Sequence, residues 1–190
     1  EDLFPPKPGE FSCYFNSEPP SNVHWSFRDT WQMLDRLKRQ GLDPEVIVDV
    51  GASTGVWSWT AATIFPKAKF VLVDPMMSRY SEQARNYYLK SFQSYELVEA
   101  ALSDKSGQMD ILVSNDLYGT SLLKVDERTR KSDVCKVEVT TLDELAKRKQ
   151  IRGRTLVKID VQYAEHLVVN GGLQFIKEYV DAVILELTIE

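Results

Sequence analysis

Short unbroken apolar runs recur along this chain, separated by longer stretches in which apolar residues return every three or four positions. The runs are 46–48, 70–73, 156–157 with Ile159, and 182–185. A strand buried on both faces reads this way, as the strands of parallel sheets do. Between them, Phe27, Trp31, Leu34 and Leu37 form a helical stripe that Gly41 closes, and this helix is expected to lie across the mouth of a ligand site. A second helix is predicted over 54–65, with Trp57, Ala61 and Ile64 on one face and Pro66 as its stop. A third opens at Pro75 and Ser78, its apolar side marked by Tyr80, Ala84, Tyr87 and Tyr88. A strand is predicted over 95–102, and strict alternation at Met109, Ile111 and Val113 predicts an antiparallel or edge strand, followed by another over 137–140. Thr141 is placed to cap a short helix with acids in its first turn and Lys147-Arg148-Lys149 at its end. The strand over 155–161 leads to helical sequence over 164–177, where Gly171-Gly172 predicts close packing or a break. Strands alternating with helices make an α/β domain, and right-handed crossovers gather the strand ends on one edge.

That edge is acidic. Asp49, Asp74 and Asp160 each end a predicted strand, and Glu186 stands near the end of the last, over 180–187. The first strand runs into Asp49-Val50-Gly51-Ala52-Ser53-Thr54-Gly55. A dinucleotide turn needs glycine at its first, third and sixth places so that pyrophosphate meets bare backbone. The third and sixth places here, counted from Gly51, are Ser53 and Val56, so that pattern fails. What remains is Asp-x-Gly-x-x-x-Gly, which sets an acid where pyrophosphate is repelled and a ligand ammonium is welcome. Asp74 follows at the distance where a carboxylate ending the second strand accepts the ribose hydroxyls of an adenosyl group.

Composition narrows the choices further. The chain has 190 residues, 43% of them hydrophobic, enough for one full core. A proline-rich arm is expected over 1–25 and a single ligand-binding domain over 26–190. A formal net charge of -5 argues against nucleic acid as the main partner. Cys13 and Cys135 have no metal-ligand spacing, no metal site is expected, and a reducing, cytoplasmic setting fits. No run of eighteen apolar residues predicts a membrane span. The polar stretch 114–136 reads as a long loop whose Lys124, Arg128, Arg130, Lys131 and Lys136 either solvate it or attract an anionic acceptor.

Several pieces, in order, resemble the FkbM-type S-adenosylmethionine-dependent methyltransferases of class I. They are 48–55, Asp74-Pro75, 101–104 with Gly107, 141–145, and Lys158-Ile159-Asp160-Val161 with Ala164-Glu165 and Gly171. The resemblance implies a doubly wound, mostly parallel Rossmann-like sheet with an inserted antiparallel strand pair. It also leads one to expect that the C-terminal antiparallel strands of a complete class I sheet are missing from this sequence. It implies S-adenosyl-L-methionine as cofactor and a hydroxyl on a sugar or natural-product-like small molecule as acceptor. On this reading Asp49, Gly51, Ser53, Gly55, Asp74 and Asp160 hold the cofactor, with backbone groups of Ala101 and Leu102 beside the adenine. The base is Glu165, which carries the family match, or His166, whose unperturbed pKa suits the task better. One departure falls beside the presumed reaction centre: the family usually has glycine where this chain has Tyr163. Three other readings remain open at this level: a divalent ion among Asp160, Glu165 and Glu186; a cofactor-binding fold without catalysis, plugged by Tyr163; and a nicotinamide oxidoreductase. Oligomeric state is not written in the sequence.

Overall fold

A computed structural model describes residues 28–79, 86, 88–90, 92–113 and 133–186. In chain order its main elements are α1 (Arg28–Arg39), β1 (Val46–Val50), α2 (Val56–Ile64), β2 (Lys69–Val73), β3 (Tyr95–Val98), β4 (Ala101–Leu102), β5 (Gly107–Val113), β6 (Asp133–Thr140), α3 (Leu142–Arg148), β7 (Thr155–Ile159), α4 (Glu165–Asn170), α5 (Leu173–Tyr179) and β8 (Val180–Leu185). Five strands form one sheet in the order β3-β2-β1-β7-β8, and every neighbouring pair is parallel. The sequence order reverses between β1 and β7, the switch point at which open α/β sheets bind ligands. Register aligns Val50 with Val73 on one side and with Ile159 on the other, so the residues after these three strands emerge level at one edge.

Alternation along the strands builds two cores. Ile47, Phe70, Leu72 and Leu156 face Trp31 and Leu34 of α1 and Ala61 and Ile64 of α2. Val46, Val48, Val71, Val157 and Ile159 face Leu142 and Leu145 of α3, Val168 of α4 and Phe175 of α5. Both faces of β1 and β7 are therefore covered, which is why their sequences read as unbroken apolar runs rather than alternating ones.

Several sequence expectations are corrected. α1 lies on the sheet face beside α2, with the Trp31 indole donating to Thr63 Oγ1 at 3.1 Å, rather than across the ligand edge. Its apolar stripe, Trp31 and Leu34, is buried there against the sheet. The strand expected over 95–102 breaks at Glu99-Ala100: β3 stays in the main sheet, while β4 joins β6 and β5 in a second, three-stranded sheet. There β5 and β6 are the expected antiparallel pair, and Ile111, Val113, Val137 and Val139 make its small core with Met76 and Ala101. β6 begins at Asp133, so the end of the supposed loop is strand; 114–132 lie outside the described residues, as do the arm at 1–25 and Tyr80, Ala84 and Tyr87 of the expected third helix. β7 ends at Ile159 and β8 at Leu185, each earlier than the apolar pattern suggested. The 164–177 stretch is two helices, α4 and α5, divided at Gly171-Gly172. A Cβ at Gly171 would overlap the Ser103 carbonyl and one at Gly172 would press on Leu142, so the break and the close packing have one cause. The Thr141 cap forms as expected, its hydroxyl accepting from Glu144 N at 3.1 Å.

Candidate active site

Gly51 takes a left-handed φ of 77° as the chain leaves β1, and a Cβ there would overlap the carbonyl oxygen of Asp160. Only glycine lets the first turn approach the end of β7 this closely. Gly51 N donates to Val73 O at 2.8 Å, and Asp160 N donates to Val50 O at 3.0 Å, which locks the ends of β1, β2 and β7 together. Gly55, also left-handed, is the N-cap of α2. Between the two glycines, Ser53 holds φ at 52°, unusual for a residue with a side chain. Its Oγ is buried and has no hydrogen-bond partner among the described residues. Buried hydroxyls in native proteins almost always have partners, which makes Ser53 a candidate contact for a ligand group.

The Asp74 carboxylate ties the second strand to that turn. Oδ2 accepts from Ser53 N at 3.0 Å and Oδ1 from Met76 N at 2.8 Å. Burial pushes the Asp74 carboxyl above the ordinary aspartate range, against the pull of those two amides.

Asp49 sits lower than the sequence suggested. It is fully buried, its Oδ2 accepting from Ser58 Oγ at 2.6 Å and its Oδ1 lying 3.2 Å from Lys158 Nζ. Lys158 is the residue the sequence reading passed over: it appeared there only as one letter of a motif. Its ammonium is buried beneath the turn, donating to Gly51 O at 3.0 Å and lying 3.5 Å from Asp160 Oδ2. Burial alone would pull its pKa down, but Asp49 and Asp160 outweigh that and hold it above the usual lysine value. The available signal was a lysine at an inward position of an otherwise apolar strand, which needs buried carboxylate partners.

Beyond β7, Gln162 and Tyr163 both take positive φ, 56° and 77°. Glu165 Oε1 accepts from Val161 N at 3.0 Å and Tyr163 N at 3.2 Å, clamping this tight loop, and Gln162 Nε2 donates to Asp160 Oδ1 at 2.9 Å. Glu165 itself is buried, whereas His166 stands exposed one residue further along α4. Glu186 follows β8, its amide donating to Ile159 O at 3.1 Å. The neighbouring charge of Asp160, first, and partial burial push the Glu186 carboxyl above the ordinary glutamate range.

The fold thus brings Asp49, Gly51, Ser53, Gly55, Asp74 and Asp160 to one edge, with Glu165 clamping the loop beside them. Ala101 and Leu102 lie in β4, buried and paired in register with Val139 and Thr140 of the second sheet. Among the described residues, no group of three or more His, Cys, Asp and Glu is arranged to hold a metal ion, so Asp160, Glu165 and Glu186 do not form the metal centre considered above. No helix among the described residues is long and apolar enough to cross a membrane.

A five-stranded parallel sheet with acids at the ends of β1, β2 and β7, and a glycine turn at the switch point, is the Rossmann-like methyltransferase fold. A family model, the methyltransferase FkbM domain, matches residues 49–189, and the chain belongs to that family. Comparison with curated proteins and with solved structures gives no match.

Proposed function

We propose that this protein transfers a methyl group from S-adenosyl-L-methionine to a hydroxyl of a small-molecule acceptor. The observation that carries the reading is the composition of this edge: among the described residues, Asp49, Asp74, Asp160 and Glu186 gather there about the cation Lys158, and the Ser53 hydroxyl is buried with no partner. An excess of carboxylate attracts a sulfonium and an ammonium and repels the pyrophosphate of a nicotinamide cofactor. Asp74 would hold the ribose, Ser53 and the backbone of 51–55 the amino-acid end, and the β3–β4 junction with Ala101 and Leu102 the base. Asp49 serves from beneath, fixing Lys158 and through it the Gly51 carbonyl. When bound, the cofactor supplies an electrophilic methyl group.

The chain's own residues supply the rest. An alcohol is too weak an acid to ionise alone near neutral pH, so a proton acceptor must stand at the acceptor oxygen. Glu165 Oε1 is engaged by two amides and His166 lies exposed on α4, which favours the Asp160–Glu186 pair for this role. Two interacting carboxylates titrate in separate steps, and the upper step lies nearer neutrality than a lone carboxyl. Lys158 Nζ, 3.5 Å from Asp160 Oδ2, offsets the charge gathered there.

Calorimetric titration with S-adenosylmethionine and S-adenosylhomocysteine tests the reading. Binding of both is expected, with no heat from nicotinamide dinucleotides. Failure to bind either adenosyl compound would sink it.

A further inference from the structure

α4 and α5 have six and seven residues, too few for either helix to be stable by itself. Their support is tertiary. α5 opens at Gly172, which has no side chain to cap it, and a Cβ there would collide with Leu142. Its orphan amides are met instead from the first turn of α3: Asp143 Oδ1 accepts from Phe175 N at 2.7 Å and Oδ2 from Gln174 N at 3.4 Å. The backbone of the same residue completes the joint, Asp143 N donating to Gly171 O at 2.9 Å. Asp143 thus holds the end of α4 and the start of α5 at once, where Gly171 lies against the Ser103 carbonyl.

The other end of α4 is Glu165, whose Oε1 accepts from Val161 N at 3.0 Å and Tyr163 N at 3.2 Å. The loop held this way has Asp160 at its root, and Gln162 Nε2 donates back to Asp160 Oδ1 at 2.9 Å. Val168, midway along α4, is fully buried in the second core, but apolar contact is non-directional and leaves the helix free to slide along its axis. Hydrogen bonds are directional, and Asp143 supplies one at the far end. We infer that Asp143 is a positioning residue for the cofactor site: by seating the junction of α4 and α5 it fixes where Glu165 stands, and through Glu165 the loop 161–163 and the Asp160 carboxylate. The inference rests on the methyltransferase reading above, in which Asp160 holds the cofactor.

The test uses the full chain, with hydrogen exchange at the Val161 and Tyr163 amides followed by nuclear magnetic resonance and calorimetric titration with S-adenosylhomocysteine. Asp143→Ala strands two amides of α5 and should speed exchange at both loop amides by about tenfold. It should also raise the S-adenosylhomocysteine Kd by about tenfold, the cost of drawing a charged partner off its hydrogen bond. Asp143→Asn keeps an oxygen for Phe175 N and should stay within about threefold of the native protein on both counts. Trp31→Phe destabilises the opposite face of the sheet and, compared at equal distance below its Tm, should leave both readings within about twofold. Should Asp143→Ala not fold, Asp143→Ser, whose hydroxyl falls one bond short of the two amides, takes its place with the same outcomes. Loop exchange no faster than in Trp31→Phe overturns the inference and makes Asp143 an ordinary cap. Faster exchange with an unchanged Kd overturns it as well, since the loop then moves without consequence for the cofactor. Failure of the native protein to bind S-adenosylhomocysteine removes the methyltransferase reading, and with it any role of Asp143 at a cofactor site, while loop exchange still reports whether Asp143 holds the loop.

Discussion

Replacing Lys158 with Met keeps the side chain's length and removes its ammonium. In the native protein that ammonium lies 3.2 Å from Asp49 Oδ1 and 3.5 Å from Asp160 Oδ2, with both Lys158 and Asp49 buried. At an effective dielectric near 20 the closer pair attracts by about 5 kcal/mol, a gross figure that desolvation of both ions offsets in large part. The variant feels a different quantity, because it leaves Asp49 charged, fully buried and without its cation, and deprives Gly51 O of a donor. Breaking a buried pair in this way costs about 3–5 kcal/mol. For a chain of this size that lowers Tm by roughly 6–20 °C. Thermal and urea unfolding followed by circular dichroism measure it directly. Adding Asp49→Asn removes the stranded charge, and the double variant should recover about 1–3 kcal/mol relative to additivity. A loss below about 1 kcal/mol in Lys158→Met, or strict additivity of the two changes, would show that the buried pair does not hold the turn.

Other outcomes follow from the same geometry. Lys158, with its pKa held above the ordinary lysine value, contributes stability that is complete below that value and is lost as pH rises through the folded-state pKa; base titration of unfolding should show this loss in the native protein and not in Lys158→Met. Glu186, its carboxyl pushed above the ordinary glutamate range by Asp160, is expected to set the acid limb of the kcat–pH profile, so Glu186→Gln should move that limb to lower pH; an unmoved limb would take Glu186 out of the proton-accepting pair. Gly51→Ala should destabilise by about 3 kcal/mol or more, since strain at positive φ adds to a collision with the backbone of Asp160. At position 163, Gly should melt above Ala by about 1 kcal/mol, roughly 2–4 °C, reversing the usual order of the two residues because the backbone there is left-handed.

The pattern of apolar residues by itself determined that β1, β2 and β7 are buried parallel strands, that acids end them, and that the turn after β1 is not a dinucleotide turn. Periodicity and turn chemistry are local, so they survive reading one letter at a time. The Thr141 cap and the break at Gly171-Gly172 were legible for the same reason. What the sequence did not determine are the relations between distant segments. The split of 95–102 between two sheets depends on β6, more than thirty residues further on, offering a partner to Ala101 and Leu102. The burial of Asp49 depends on Lys158, which arrives from another strand and sets an ammonium against its carboxylate. Glu165 was marked by its match to the family motif, and only the fold shows that its Oε1 meets two amides of the loop just before it, brought within reach by a reversal at Gln162 and Tyr163 that needs positive φ. Composition and spacing report what a residue is capable of; which of its capacities is used is decided by the charge or amide that folding sets against it.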